Sequence, residues 1–270
     1  MNALDSAFSA LSCLPCDETA FAVRALGFLA DAELLKGGFM MALLCALWMS
    51  GRGRAETMEI RSRIVATVAG AFGALCVARL LALVLPFRAR PFDLAAGDAA
   101  PAFRALESWS AFPSDHAALF FALATGIFVI SRRLGLIALL HALVIVTVPR
   151  IYLGLHHPSD MLAGAALGVA CALSMSRPRV WRRCGPVVAW SEGRRAPWFS
   201  ALAFVVVFEL ATLFDSVRAG ARLVWPVVNT SAMAVAALMA GGGVLALVGA
   251  LLVRGLTDRA PARRASSRMR

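Results

Sequence analysis

Seven stretches of mostly apolar residues, separated by short polar connections, are the feature that most limits how this chain can fold. A transmembrane helix needs roughly 20 apolar residues, at 1.5 Å per residue, to cross about 30 Å of hydrocarbon. Of the 270 residues, 60% are hydrophobic, whereas ordinary soluble domains contain about 45–50%. The apolar stretches cover residues 36–50, 64–86, 115–131, 134–149, 158–176, 197–214 and 228–253.

This pattern predicts an all-α fold, a polytopic transmembrane helical bundle. A membrane β-barrel is not expected, because no part of the chain alternates apolar and polar residues with a period of two. We expect four parts: an N-terminal interfacial segment (1–33), a transmembrane core (34–215), an additional transmembrane helix (216–254) and a basic cytoplasmic tail (255–270).

The arginines predict the orientation of the bundle. The formal net charge is +11 and Lys36 is the single lysine. Short cytoplasmic loops collect positive charge, and the arginine-rich connections fall at every second boundary: 51–63, 131–135, 177–185 with 192–197, and the C-terminal tail. The connections 86–114 and 150–158 would then face the opposite side, together with an acidic N-terminal segment that includes Asp5. In a bacterium this arrangement predicts an inner-membrane protein whose second face is periplasmic.

Charge and cysteine patterns argue against several other functions. The arginines form short clusters between apolar runs, which favours membrane anchoring and predicts no nucleic-acid partner. Cys13 and Cys16 form the one C-x-x-C pair, with no second pair and no thioredoxin-like pattern nearby, so we expect neither a redox nor a metal site there. Their role stays open.

Three polar islands are predicted to lie at the outer ends of the membrane segments. They are RLLALVLPFRARP (79–91), FPSDHAA (112–118) and PRIYLGLHHPSD (149–160). Arginine, histidine, serine and aspartate at helix ends are suited to a phosphate site, because helix N-termini present free N–H groups and guanidinium groups match phosphate oxygens.

The islands resemble the three signature motifs of the type 2 phosphatidic acid phosphatase superfamily, K-x6-RP, PSGH and SR-x5-H-x3-D. Arg150, His156 and Asp160 reproduce the spacing of the third motif, with Pro149 in place of serine. The second motif reads PSDH (113–116), with aspartate in place of glycine. The resemblance implies a six-helix core, followed here by one additional hydrophobic helix.

The first motif departs most from the family pattern. Arg90 and Pro91 match its RP pair, but Leu83 occupies the lysine position. Arg79, one helical turn further back, could reach the same pocket, and Arg88 is a competitor for that role. Which of the two replaces the lysine stays open.

The resemblance implies a mechanism without cofactor or metal. His156 would attack phosphorus and become phosphohistidine, while Asp160 would accept a hydrogen bond from the other ring nitrogen of His156. His116 would protonate the leaving oxygen and later accept a proton from water. The remaining residues would bind the phosphate oxygens: Arg90, Arg150, Ser114 and Arg79.

These residues also have structural explanations. Ser114 could simply cap a helix, Asp160 could be a first-turn acid, and the arginines could be interfacial anchors. Those explanations leave the spacing of the two histidines unaccounted for.

Other polar residues are expected to have structural or open roles. For Asp115 we expect a supporting role, holding a guanidinium or capping a helix. His141 should hydrogen-bond between helices, and Glu209 could line a pathway or pair with an arginine.

The favoured function is a membrane lipid phosphatase that takes a lipid phosphate or diphosphate from the surrounding lipids. Asp at the position of Asp115 also occurs in bacterial undecaprenyl diphosphate phosphatases, and this resemblance favours that substrate. A lipid phosphotransferase would use the same residues. A transporter without hydrolytic activity is the alternative from a different class, although transporters usually place their charges near the membrane midplane. The sequence does not determine the oligomeric state.

Overall fold

The computed structural model describes Asp5, residues 20–96 and residues 110–215. The chain forms two compact units, Met1–Leu213 and Phe214–Arg270. The first unit contains all three polar islands. The predicted additional helix and basic tail lie outside the described residues, as do Cys13 and Cys16, so those expectations stay predictions.

The described residues fold into helices and contain no β-strand, which confirms the predicted all-α class. Each of the six predicted apolar segments within this part of the chain corresponds to a helix. The principal helices are α1 (Phe21–Asp31), α2 (Leu34–Trp48), α3 (Arg54–Val84), α4 (Pro91–Ala96), α5 (Asp115–Ile130), α6 (Arg132–Tyr152), α7 (Pro158–Met175) and α8 (Ala196–Ala211). Short helical turns connect α7 to α8.

Three of the helices, α3, α6 and α7, are long and apolar enough to cross a membrane, and α2 and α5 are shorter apolar helices. Large apolar side chains point outward from them. On α6, Leu136, Leu140 and Leu143 are exposed and follow the spacing of one helical face. An apolar face of this kind is suited to lipid rather than water. These are the features of an integral membrane protein.

Proline and serine set the helix ends at which the polar islands lie. Helix α3 ends at Val84, two residues before Pro86, which cannot continue a helix without loss of a hydrogen bond. Helix α5 follows Ser114, whose Oγ accepts a hydrogen bond from the Ala117 N–H at 3.4 Å. Helix α7 begins with Pro158 in its first turn, where the missing N–H is not needed. The islands therefore lie at helix ends and in the non-helical chain next to them.

Helix α5 is the centre of the bundle and packs against α3 and α7. On α7, Gly164 and Gly168 face α5, and a Cβ added at either glycine would collide with a backbone carbonyl of Ser114 or Ala118. The absence of a side chain allows the two helix backbones to approach closely. Because of this approach, the Ser114 N–H donates to the Asp160 carbonyl oxygen at 3.1 Å, and the first turns of α5 and α7 are neighbours.

His141 connects α6 to α2, as expected from the sequence. Its Nε2–H donates to the Leu35 carbonyl oxygen at 2.7 Å, because a carbonyl can only accept. The imidazole ring also stacks on Phe39, with 4.5 Å between ring centroids. The prediction of an interhelical hydrogen bond is confirmed, and His141 takes no part in the polar islands.

The close approach of α5 and α7 can be tested with a pair of glycine variants. Gly168→Ala should destabilise the protein by about 1–3 kcal/mol, because its Cβ would meet the α5 backbone. Gly73→Ala is the control, since a Cβ there meets nothing within 4 Å and alanine is favoured in a helix by up to about 1 kcal/mol. Thermal unfolding in detergent micelles measures both, and equal midpoints would contradict the packing argument.

Candidate active site

The structure brings the three polar islands together. His116 lies in the first turn of α5, and His156 lies in the loop that precedes α7. Potential ligand atoms of Asp115, His116 and His156 all lie within 4.8 Å of one another. Both histidines are buried, with 8% and 4% of their surface exposed. The two rings predicted to carry the chemistry therefore border one small site.

Two neighbours fix the orientation of His156. Its Nδ1 lies 3.0 Å from the Ala111 carbonyl oxygen, which can only accept a hydrogen bond, so Nδ1 carries the proton. The Nε2 atom then has a lone pair and faces the Arg90 guanidinium at 3.3 Å. Arg90 is held in turn, since its Nη1 also donates to the Leu155 carbonyl oxygen at 2.7 Å.

Asp160 does not make the hydrogen bond that the family resemblance implied. Its Oδ2 lies 3.8 Å from His156 Nδ1, beyond hydrogen-bond distance, and the Ala111 carbonyl takes that proton instead. The fully buried carboxylate accepts from Arg88 Nη1 at 2.5 Å and from the His157 N–H at 2.8 Å. It remains close enough to stabilise positive charge on the His156 ring.

Asp115 supports the second histidine. Its Oδ1 lies 2.8 Å from Nδ1 of His116, and its Oδ2 forms an ion pair with Arg79. The expectation that Asp115 holds a guanidinium is thereby confirmed. A carboxylate paired with arginine is ionised and accepts, so Nδ1 of His116 carries a proton and Nε2 is left for proton transfer.

Arg79 and Arg88 have different partners, which bears on the missing motif lysine. Arg79 pairs with the carboxylate that supports His116, whereas Arg88 bridges Asp160 and Asp5, with 2.5 Å contacts to each. Arg79 therefore lies beside the carboxylate that contacts His116, whereas Arg88 lies beside the Asp160 carboxylate. Both arginines are engaged in ion pairs, so neither matches the lysine of the family motif.

The remaining predicted phosphate ligands are built into the surrounding helices. Arg150 is buried and donates to the Val146 and Ala30 carbonyl oxygens at 3.0 and 3.4 Å, and its own carbonyl oxygen accepts from the His156 N–H at 3.3 Å. Ser114 is fully buried and caps α5. Both residues border the site, but their hydrogen bonds serve the helix framework.

Sequence reasoning missed two contributors to the site. The Ala111 carbonyl orients His156, and a backbone group leaves no signal in residue identity. Asp5 contacts Arg88 and Ser159. The one available hint was that the acidic N-terminal segment was predicted to lie on the same side as the islands.

The cluster of Asp115, His116 and His156 has a spacing that could suit a metal ion, and the sequence did not reveal that a carboxylate joins the two histidines. Its electrostatic surroundings favour an anion instead. Arg79 is paired with Asp115, and the Arg90 guanidinium lies 3.3 Å from His156 Nε2. The Arg90 guanidinium at His156 Nε2 opposes a divalent cation there and matches phosphate oxygens.

Residues 63–184 match the family model of the PAP2 superfamily. The matched range begins within α3, ends in the turns before α8 and includes all three islands. This part of the chain is therefore similar to the PAP2 superfamily, in agreement with the resemblance of the motifs.

The chain is also similar to the bacitracin transport permease protein BcrC of Bacillus licheniformis, with 44% identity over 64 residues. The match covers 24% of this chain and 31% of that relative. No solved structure gives a significant match.

The bridge formed by Arg88 can be tested against a matched surface pair. Arg88 and Arg63 have similarly exposed side chains, 27% and 29%, but the carboxylates bound by Arg88 are fully buried whereas Glu59, the partner of Arg63, is 48% exposed. Arg88→Gln should destabilise the protein by about 3 kcal/mol, because buried charges lose their partner. Arg63→Gln should cost about 1 kcal/mol or less. Comparable losses in chemical unfolding would contradict the bridging role.

Proposed function

We propose that this protein is a metal-independent membrane lipid phosphatase that hydrolyses a lipid phosphate or isoprenoid diphosphate through a phosphohistidine. The proposal depends on one observation: two buried histidines lie side by side, and their ring nitrogens have different partners. His156 has a carbonyl at Nδ1 and a guanidinium at Nε2, whereas His116 has a carboxylate at Nδ1. The first arrangement suits a neutral nucleophile, and the second suits a proton donor and acceptor.

In the first step, the Nε2 lone pair of His156 attacks phosphorus and the bond to the leaving oxygen breaks. His116 gives its Nε2 proton to that oxygen, and Asp115 stabilises the imidazolium before transfer. The Arg90 guanidinium turns from Nε2 to a phosphate oxygen and stabilises the charge that develops there. The Ala111 carbonyl and the nearby Asp160 carboxylate stabilise the positive charge on phosphorylated His156.

In the second step, water attacks the phosphorus of phosphohistidine. His116, now neutral, accepts the water proton, the phosphorus–nitrogen bond breaks, and inorganic phosphate leaves. His156 regains its Nε2 lone pair and His116 regains its proton, so the cycle closes without a cofactor. A lipid or sugar hydroxyl in place of water would make the same site a phosphotransferase.

Apolar side chains beside the site support a lipid substrate. Leu83 occupies the position of the missing motif lysine and is exposed, as are Leu80, Val84 and Phe87 at the same end of α3. These residues offer a surface for an acyl or isoprenoid chain within the bilayer, while the guanidinium groups bind the head group from water. The arginine-rich connections lie at the other helix ends, and under the positive-inside rule this distribution supports a site on the periplasmic face of a bacterial inner membrane.

Undecaprenyl diphosphate is the favoured substrate. Asp115 gives the second motif the form that resembles bacterial undecaprenyl diphosphate phosphatases, and the pairing of Asp115 with Arg79 accounts for an aspartate near phosphate. The positive charge of Arg79 compensates the carboxylate, so the substrate is not repelled.

Transport is the second candidate, because the relative from Bacillus licheniformis is named a transport permease. A transporter usually places its charged groups or broken helices near the membrane midplane. In the described part of this chain, the clustered histidines and their acidic partners lie at helix ends instead. That placement favours chemistry at the membrane surface.

Phosphate release from a panel of lipid phosphates and diphosphates tests the proposed activity. Purified wild-type protein should release phosphate, fastest from undecaprenyl diphosphate. His156→Ala should lose about 10³-fold or more in kcat, because the nucleophile is gone.

His141→Ala is the matched control, since His141 is a partly buried histidine outside the site, and it should retain turnover. Retained turnover in well-folded His156→Ala would remove His156 as the nucleophile. If the wild type releases no phosphate but moves a labelled substrate across vesicles, transport is the correct function.

Removal of divalent cations tests the metal-free mechanism. Activity should remain within about twofold after treatment with EDTA, because arginines rather than a metal stabilise the phosphate charge. Loss of turnover in EDTA, restored by one divalent ion, would instead assign that ion to Asp115, His116 and His156.

A further inference from the structure

The Asp5 carboxylate is held by three hydrogen bonds that reach the start of α7. Its Oδ2 accepts from Arg88 Nη2 at 2.5 Å and from Ser159 Oγ at 3.0 Å. Its Oδ1 accepts from the Ser159 N–H at 3.2 Å. The side chain is fully buried. A carboxylate distant in sequence thus caps α7, in addition to the capping box in which Asp160 accepts from the His157 N–H at 2.8 Å.

The charge of Asp5 is retained despite its burial. Burial by itself would raise the pKa of Asp5, but the hydrogen bonds from Ser159 and the adjacent Arg88 guanidinium outweigh burial and lower that pKa. Asp5 is therefore ionised at neutral pH and forms an ion pair with Arg88.

A continuous chain of contacts leads from Asp5 to the proposed nucleophile. Arg88 uses Nη2 for Asp5 and Nη1 for Asp160. Asp160 accepts from the His157 N–H and lies 3.8 Å from His156 Nδ1. This chain approaches the imidazole from the Nδ1 side, whereas phosphorus would be attacked from Nε2. Asp5 is thus connected to the Nδ1 side of His156 and does not face substrate.

We propose that Asp5 is a positioning residue that fixes Arg88, and through Arg88 the Asp160 carboxylate and the loop carrying His156. The inference rests on the proposed phosphatase function. The Arg88 side chain is 27% exposed, so without Asp5 its guanidinium can turn toward water. The buried Asp160 charge would then lose part of its compensation, and the first turn of α7 would shift.

Two substitutions separate this role from simple helix capping. Asp5→Asn keeps an oxygen for the Ser159 N–H but removes the charge that holds Arg88, and Asp5→Glu restores the charge. We expect kcat to fall about 10-fold in Asp5→Asn, because small displacements of a reacting group are costly. KM should stay within about threefold, since Asp5 does not contact substrate. Asp5→Glu should recover part of the kcat. If Asp5→Asn has the same kcat as the wild type, Asp5 only caps the helix and the inference is overturned.

A double-mutant cycle with Arg88→Gln tests whether Asp5 acts through Arg88. If Asp5 acts through Arg88, Asp5→Asn should have little further effect on kcat in the Arg88→Gln background. Fully additive effects of the two substitutions on kcat would overturn the claim that Asp5 acts through Arg88. The control is Glu192→Gln, which removes the carboxylate of an exposed ion pair with Arg54 at 3.4 Å and should leave kcat unchanged.

The same proteins distinguish failure of this inference from failure of the proposed function. A wild type that releases no phosphate from any substrate in the panel overturns the function, and the positioning role falls with it. The Asp5–Arg88 coupling in the unfolding midpoint would still report whether the contact exists. An active wild type whose kcat is insensitive to Asp5→Asn overturns the inference alone.

Discussion

The close approach of α5 and α7 is the constraint on which the rest of the site depends. Gly164 and Gly168 allow the α7 backbone to contact α5, and the Ser114 N–H then reaches the Asp160 carbonyl. This contact joins two helix beginnings that are separated by more than forty residues in sequence. With the first turns adjacent, His116 and His156 border one site. A larger residue at either glycine would meet the α5 backbone at Ser114 or Ala118 and separate the two helices.

Charge compensation is the second principle of the site. Its buried or nearly buried carboxylates lie beside guanidinium groups: Asp115 beside Arg79, and both Asp5 and Asp160 beside Arg88. A buried carboxylate without such a partner would be strongly destabilising. The pairings leave the Arg90 guanidinium directed at His156 Nε2, where a phosphate oxygen can compete for its N–H groups. The ion pairs therefore stabilise the buried carboxylates around the two histidines.

The two histidines differ because their neighbours differ. A neutral carbonyl beside Nδ1 of His156 fixes a tautomer without adding charge, which keeps Nε2 nucleophilic. A carboxylate beside Nδ1 of His116 stabilises the protonated ring and suits acid–base work. The resemblance to the family motifs implied roles for both histidines, but it assigned the supporting acid to His156. In the structure Asp115, the residue that departs from the family motif, is the closer acid and supports His116.

The sequence by itself determined the helical class, the membrane-crossing segments and the identity of the polar islands. Those properties follow from composition and spacing along the chain, which fix the length of an apolar helix and the positions at which it must end. Tertiary structure alone decided the partners: Ala111 for His156, Arg79 for Asp115, and Arg88 with Asp5 for Asp160. A hydrogen bond depends on distances of a few tenths of an ångström between chain-distant groups, and those distances exist only after the helices have packed.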